Sequence, residues 1–135
     1  MQKDKTFSKL IYNISNPTCV VFDLDATLCH HGDQSGFETC EQFPAIDAVV
    51  DVAKHCKSQG FDLVIATARP DLYAEGTAFW LQENLPEYDA IYMKNADDDA
   101  TGSQCKGDQL QDILRFWNIQ FWDRKSTRLN SSHVS

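Results

Sequence analysis

The sequence predicts an α/β domain built on a parallel sheet, and three observations carry that prediction. Short apolar runs of strand length alternate with stretches of helical period. Gly, Pro, Asn and Asp mark the boundaries between them. Carboxylate, hydroxyl and amine side chains recur just past the apolar runs, and open parallel sheets bind ligands beyond the carboxyl ends of their strands. Strand–helix alternation implies right-handed crossovers and a Rossmann-like, doubly wound arrangement.

Taken in order, residues 1–17 read as a polar lead-in that allows a short helix over 7–12, with Asn16-Pro17 as the turn out of it. Thr18 to Phe22 is the first strand. Residues 28–43 hold Gly, His and Asp without a clear period, which predicts a loop or small hairpin. Pro44 suits the first turn of a helix, and Ile46, Val49, Val50 and Ala53 extend it at helical spacing to Ser58. Gly60 is the expected stop, where a left-handed residue is wanted. The second strand covers residues 61–66. A second helix covers 74–85, with Ala78, Leu81 and Leu85 on one face and Pro86 ending it. Residues 89–93 form a third strand and 95–104 an acidic loop. Lys106-Gly107-Asp108 then opens a third helix over 109–117, and 119–122 begin a fourth strand. Trp80 and Trp117 fall at core positions of this pattern.

Composition narrows the function classes. The chain has 135 residues, enough for one domain with a real core. A net charge of −8 disfavours an extended nucleic-acid grip, which needs clustered Lys and Arg. It leaves room for a local basic pocket holding one phosphate. No apolar run reaches membrane-span length, and the polar start lacks a signal-peptide pattern. Five Cys without a CxxC pair read as reduced thiols, which points to the cytoplasm.

The most telling motif ends the first strand: Phe22-Asp23-Leu24-Asp25-Ala26-Thr27. Alternation along a strand sends Asp23 and Asp25 out on the same side. Two carboxylates held that close repel unless a cation sits between them or one is protonated. Hard oxygen ligands of this kind suit Mg²⁺, usually beside a substrate phosphate. Thr67-Ala68-Arg69 closes the second strand, and Lys106 precedes the third helix. Two weaker patterns are set aside. Cys29, His30, His31 and Cys40 lack zinc-ligand spacing. Asp97-Asp98-Asp99 lacks the Gly and bidentate Glu of a calcium loop.

Acid pair, then Thr at a strand end, then Lys at a helix start resembles the haloacid dehalogenase (HAD) superfamily over residues 18–122. Within it the chain looks most like the 3′-phosphatase branch of polynucleotide kinase-phosphatases. The resemblance rests on the uncapped interval between Thr27 and Thr67, the Arg after Thr67, and Tyr92-Met93-Lys94 ahead of an acidic loop. It implies an Mg²⁺-dependent phosphomonoester hydrolase with an aspartyl-phosphate intermediate. Asp23 would be the nucleophile and Asp25 the general acid–base. Thr67 and Lys106 would be catalytic and bind phosphate, with Arg69 as a further phosphate contact. Asp23, Asp25 (through its carbonyl) and Asp123 would hold the metal. The implied substrate is a phosphorylated small molecule or a nucleotide or nucleic-acid 3′-end. Two features depart from the family pattern: Ala26 replaces the usual Gly, and the family Lys is expected inside the third helix near Gln111.

Residues 123–133 resemble a translated sequencing adapter, so 123–135 are expected to be a non-native tail and the core to be incomplete, truncated at its C-terminal side. Two other readings use the same residue types: a non-catalytic phosphate- or metal-binding module, and a receiver-like phosphoacceptor domain. The receiver reading places its acceptor Asp on a later strand than the acidic pair, whereas here the pair itself closes the first strand.

Overall fold

A computed structural model describes residues 15–31 and 36–123 of the chain. Four parallel strands form one sheet in the order β3-β2-β1-β4, with β1 at Thr18–Phe22, β2 at Asp62–Pro70, β3 at Ala90–Lys94 and β4 at Asn118–Asp123. Between them run helices α1 (Asp47–Ser58), α2 (Ala74–Asn84) and α3 (Gly102–Leu114). The two central strands are the most apolar, and Val20, Val21, Phe22, Val64 and Ile65 have no solvent exposure. Burial on both faces is what a parallel sheet covered by helices requires.

The alternation of side chains divides the core in two. Val20, Phe22, Leu63 and Ile65 pack with Val50 and Ala53 of α1 and Trp80 and Leu81 of α2. Cys19, Val21, Val64 and Ala66 face the other way and pack with Ile113 of α3. The sheet is therefore doubly wound, as expected, with α1 and α2 on one face and α3 on the other.

Boundaries differ from the expected ones for local reasons. The first helix begins at Asp47, because Cys29 pairs antiparallel with Ala45 and His30 N–H donates to the Pro44 carbonyl at 2.8 Å. Those bonds keep the backbone extended through Ala45. Gly60 does take the left-handed conformation, at φ 99°. The second strand runs on to Pro70, which pairs with Lys94 beyond an irregularity in register. In α2 Ala78 is exposed, and the buried face is Thr77, Trp80 and Leu81. The Trp80 indole donates to the Phe43 carbonyl at 2.7 Å, which turns that face inward. Trp117 is only half-buried, and its indole N–H reaches Asp62 at 2.7 Å. The short helix expected over 7–12 lies outside the described residues, as does the tail beyond residue 123.

The largest correction concerns α3. It starts at Gly102, well before the expected Gln109, inside what reads as an acidic loop. Thr101 caps it: its hydroxyl accepts from Gln104 N–H at 3.2 Å, and the Gln104 side chain accepts from Thr101 N–H at 2.9 Å. This reciprocal capping box satisfies two end donors at once. Lys106 consequently lies within the helix.

Candidate active site

Chain connectivity places the first two motifs on one rim. Phe22 pairs with Ile65 of β2 and with Asp123 of β4, so the end of β1 is held from both sides. Asp23 N–H donates to the Asp123 carbonyl at 3.0 Å. The chain then turns sharply. Leu24 carbonyl accepts from the N–H groups of Thr27, Leu28 and Cys29, and Ala26 adopts φ 65°. A left-handed alanine is strained, and the position favours glycine.

The rim gathers five of the six expected residues into two cation–carboxylate pairs and a hydroxyl. Lys106 Nζ lies 3.1 Å from Asp23 Oδ1 and donates to the Ala66 carbonyl at 2.8 Å. Asp23 Oδ1 also accepts from Leu24 N–H at 2.8 Å. Burial pushes the Asp23 carboxyl above its usual range; Lys106 opposes the shift without cancelling it. Asp25 is gripped differently. Arg69 donates to both of its oxygens, NH2 to Oδ1 at 2.6 Å and Nε to Oδ2 at 3.3 Å, a bidentate fork. Burial alone would pull the guanidinium down, but hydrogen bonds and charge from Asp25 hold it above its ordinary value. Thr67 is buried, and its hydroxyl accepts from Arg69 N–H at 3.0 Å, which leaves its own O–H to donate. Asp123 contributes its backbone to this rim.

Arg69 is 2 % exposed and spends its donors on Asp25 and on Thr77 Oγ1, 2.8 Å from NH1. The structure thus places it behind Asp25 rather than facing outward from the rim. Its guanidinium carbon lies 5.2 Å from the Phe37 ring centroid and 5.7 Å from that of Phe43. Cys29 Sγ sits 3.7 Å from both the Arg69 guanidinium and Asp25. Burial, with Asp25 nearby, pushes its thiol up to about 12, so it stays protonated.

Two participants escaped the sequence reading. Thr77 anchors Arg69, and nothing marks an isolated helix threonine for that role. Gln109 is buried, and its amide donates to the Thr67 carbonyl at 2.9 Å and the Tyr92 carbonyl at 3.2 Å. It ties the ends of β2 and β3 to the helix that carries Lys106. Its spacing of three from Lys106 would have shown it once the capping box had started the helix at the right place.

Among the described residues no group of three His, Cys, Asp or Glu side chains converges as a metal cage. Cys29, His31 and Cys40 have structural contacts instead. His31 meets the Gly36 carbonyl at 3.1 Å and stacks on Phe37, and Cys40 lies 3.9 Å from Thr77 Oγ1. The Asp97–Asp99 stretch is an exposed turn, with Asp98 accepting from Ala100 N–H at 2.9 Å.

A doubly wound sheet whose first strand ends in an acid pair, with a threonine and a lysine brought in from the next strand and a later helix, defines a HAD-type phosphatase fold. More narrowly, the family described as the LNS2 domain of PITM 1-3 matches residues 20–123, and the chain belongs to that family. Among solved structures it is similar to a chain of the Pnkp1/Rnl/Hen1 complex, with a TM-score of 0.76 and 26% identity over 82% of this chain and 39% of that one. A second structure, of the Pnkp1/Rnl/Hen1 RNA repair complex, gives 0.75 and 26% over 82% and 36%. The class C acid phosphatase of Bacillus anthracis, with tungstate bound, shares the fold at 0.66 and 15% identity, over 89% of this chain and 55% of that one. The chain thus spans well under two thirds of the length of each. No curated protein matches it in sequence.

Proposed function

We propose that the chain carries the site of an Mg²⁺-dependent phosphomonoester hydrolase, with Asp23 as nucleophile. The observation that carries this reading is the Asp23–Lys106 pair at 3.1 Å, on the rim where open parallel sheets bind ligands. An anionic nucleophile and an anionic phosphate repel each other, and a lysine beside both offsets that repulsion. The Asp23 carboxylate attacks phosphorus and the bond to the leaving oxygen breaks. Asp25 gives that oxygen its proton, so the alcohol departs neutral. Water then attacks the aspartyl-phosphate while Asp25 takes its proton, releasing phosphate and restoring the Asp23 carboxylate and the Asp25 acid. Thr67 donates to a phosphate oxygen. Arg69 orients Asp25; serving substrate directly would require it to give up the fork.

The donor set fits Mg²⁺. Its oxygens are hard, and burial holds the Asp23 carboxyl above its usual range even with Lys106 beside it, a shift that a further cation would oppose. Mg²⁺ commonly keeps several waters and shares a substrate phosphate, so it needs few protein ligands. Asp23, the Asp25 carbonyl and Asp123 would hold it, and the bound ion would neutralise charge developing on the phosphoryl oxygens.

The proposed substrates are phosphorylated small molecules or nucleotide and nucleic-acid 3′-phosphate ends. Likeness to a chain of an RNA repair complex supports the second class. A net charge of −8 supports contact with a terminal phosphate rather than with a long strand. No helix among the described residues is long and apolar enough to cross a membrane. Five free thiols support a cytoplasmic setting. Hydrolysis of p-nitrophenyl phosphate by the purified chain, with and without excess EDTA, tests the proposal. Turnover should need Mg²⁺ and vanish in Asp23→Asn; undiminished activity in EDTA or in that variant overturns it.

A further inference from the structure

One buried polar side chain beside the site takes no part in the reaction above. Gln109 is 5% exposed. Its amide nitrogen donates to the Thr67 carbonyl at 2.9 Å and to the Tyr92 carbonyl at 3.2 Å. Its own oxygen, Oε1, is buried and has no hydrogen-bond partner among the described residues. A buried acceptor left unpaired is unfavourable, and turning the amide over would set that oxygen against two carbonyls. The nitrogen therefore faces the strands and the oxygen stays bare. The side chain accepts this cost in order to hold two strand ends.

The two carbonyls mark a lapse in the sheet. Ala66 pairs with Tyr92 and Pro70 with Lys94, so residues 67–69 of β2 stand against Met93 alone. Across such an irregularity the ladder is disrupted and backbone groups lose regular partners; the Gln109 amide bridges the gap. Lys106, one turn earlier on α3, donates to the neighbouring Ala66 carbonyl at 2.8 Å. Adjacent carbonyls of β2 are thus both met by side chains of α3. Thr67 is restrained on its other side as well, because its hydroxyl accepts from Arg69 N–H at 3.0 Å. The residue assigned to phosphate binding therefore sits in irregular backbone. Its carbonyl is fixed by a side chain of the helix that carries Lys106.

We propose that Gln109 is a positioning residue: by holding the Thr67 carbonyl it sets the Thr67 hydroxyl where it donates to a phosphate oxygen. The proposal rests on the phosphatase reading for the role of Thr67, and a double-mutant cycle tests it. Gln109→Met keeps the length of the side chain and removes the donor. In p-nitrophenyl phosphate hydrolysis it should lower kcat/KM roughly 10–100-fold, the scale of a displaced binding group. In a Thr67→Val background the same exchange should cost under about threefold, since the hydroxyl it positions is gone. Equal losses in the two backgrounds overturn the proposal and leave the phosphatase standing, as does a Gln109→Met variant as active as the parent. If the parent turns nothing over, calorimetric titration with inorganic phosphate in the presence of Mg²⁺ replaces the rate. Kd should then rise in Gln109→Met by a factor that collapses in the Thr67→Val background. Equal factors, or a parent that binds no phosphate, overturn the proposal. Should Gln109→Met not fold, Gln109→Asn, a shorter amide that still donates, takes its place in the same cycle under the same criterion.

Discussion

Asp23 and Asp25 leave the same strand end, yet the fold holds them by different cations in different ways. Asp23 meets a lysine, a compact charge on a flexible stem, whose second bond is to a backbone carbonyl of β2. Asp25 meets a buried arginine that grips both oxygens and is itself fixed by Thr77. A point charge leaves a carboxylate room to move and react, whereas a fork fixes its plane. In the proposed reaction, that difference would separate a group that forms a bond from a group whose plane is held for proton transfer.

The strongest way to break this comparison is at Asp23. Asp23→Asn should cost on the order of 10⁴-fold or more in p-nitrophenyl phosphate turnover with saturating Mg²⁺. In EDTA the same variant should melt higher than the parent at neutral pH. The carboxyl is raised above 3.8 by burial, so the folded chain holds its proton more tightly than the unfolded one. Stability from this group is present below 3.8 and is lost as pH rises through the raised value. The two melting curves should therefore converge on acidification, and a variant that melts lower at every pH would refute the burial argument.

Asp25→Asn sharpens the contrast. A loss of ~10²–10⁴-fold is expected from removing general acid–base catalysis. Mg²⁺ affinity should persist, because the expected contact is the Asp25 carbonyl; equal loss of Mg²⁺ binding in both aspartate variants, by calorimetric titration, would erase the division of roles. Lys106→Ala should cost roughly 10²–10³-fold, the scale of one well-placed donor to a developing charge, with Lys106→Arg recovering part of it. The smallest effect belongs to Thr77→Val. Losing a charge-assisted bond to Arg69 should remove about 1.5–3 kcal/mol of stability, read by thermal melting. It should lower kcat a few-fold and leave KM near the parent's. A rise in KM larger than the fall in kcat would place Thr77 at the substrate instead.

Much of this was legible in the sequence, for definable reasons. Burial on both faces makes β1 and β2 near-continuous apolar runs, and the acid pair follows the first of them at once. The helices at residues 47 and 74 announce themselves by period and by Gly60 and Pro86. The start of α3 was hidden because Gly102, Ser103 and Gln104 have no apolar period; the signal there was Thr101 with Gln104, a capping pattern rather than a hydrophobic one. The partner of Arg69 was hidden for another reason. A free-standing arginine at a strand end reads as a phosphate ligand, and only the fold brings Thr77 and Asp25 to opposite ends of its guanidinium.

The bond from Asp23 N–H to the Asp123 carbonyl, at 3.0 Å, has a consequence for how the chain acquires its shape. The two strands that flank β1 are β2 and β4, so the acid pair is clamped on one side only until β4 docks. Contacts this distant in sequence carry a high loop-closure cost and form late. On a ribosome, or early in refolding, the β1–β2 pairing can exist while the acid pair still lacks its second wall. Recovery of the site should thus trail recovery of helix content when denatured chain is diluted, with the interval set by the docking of β4.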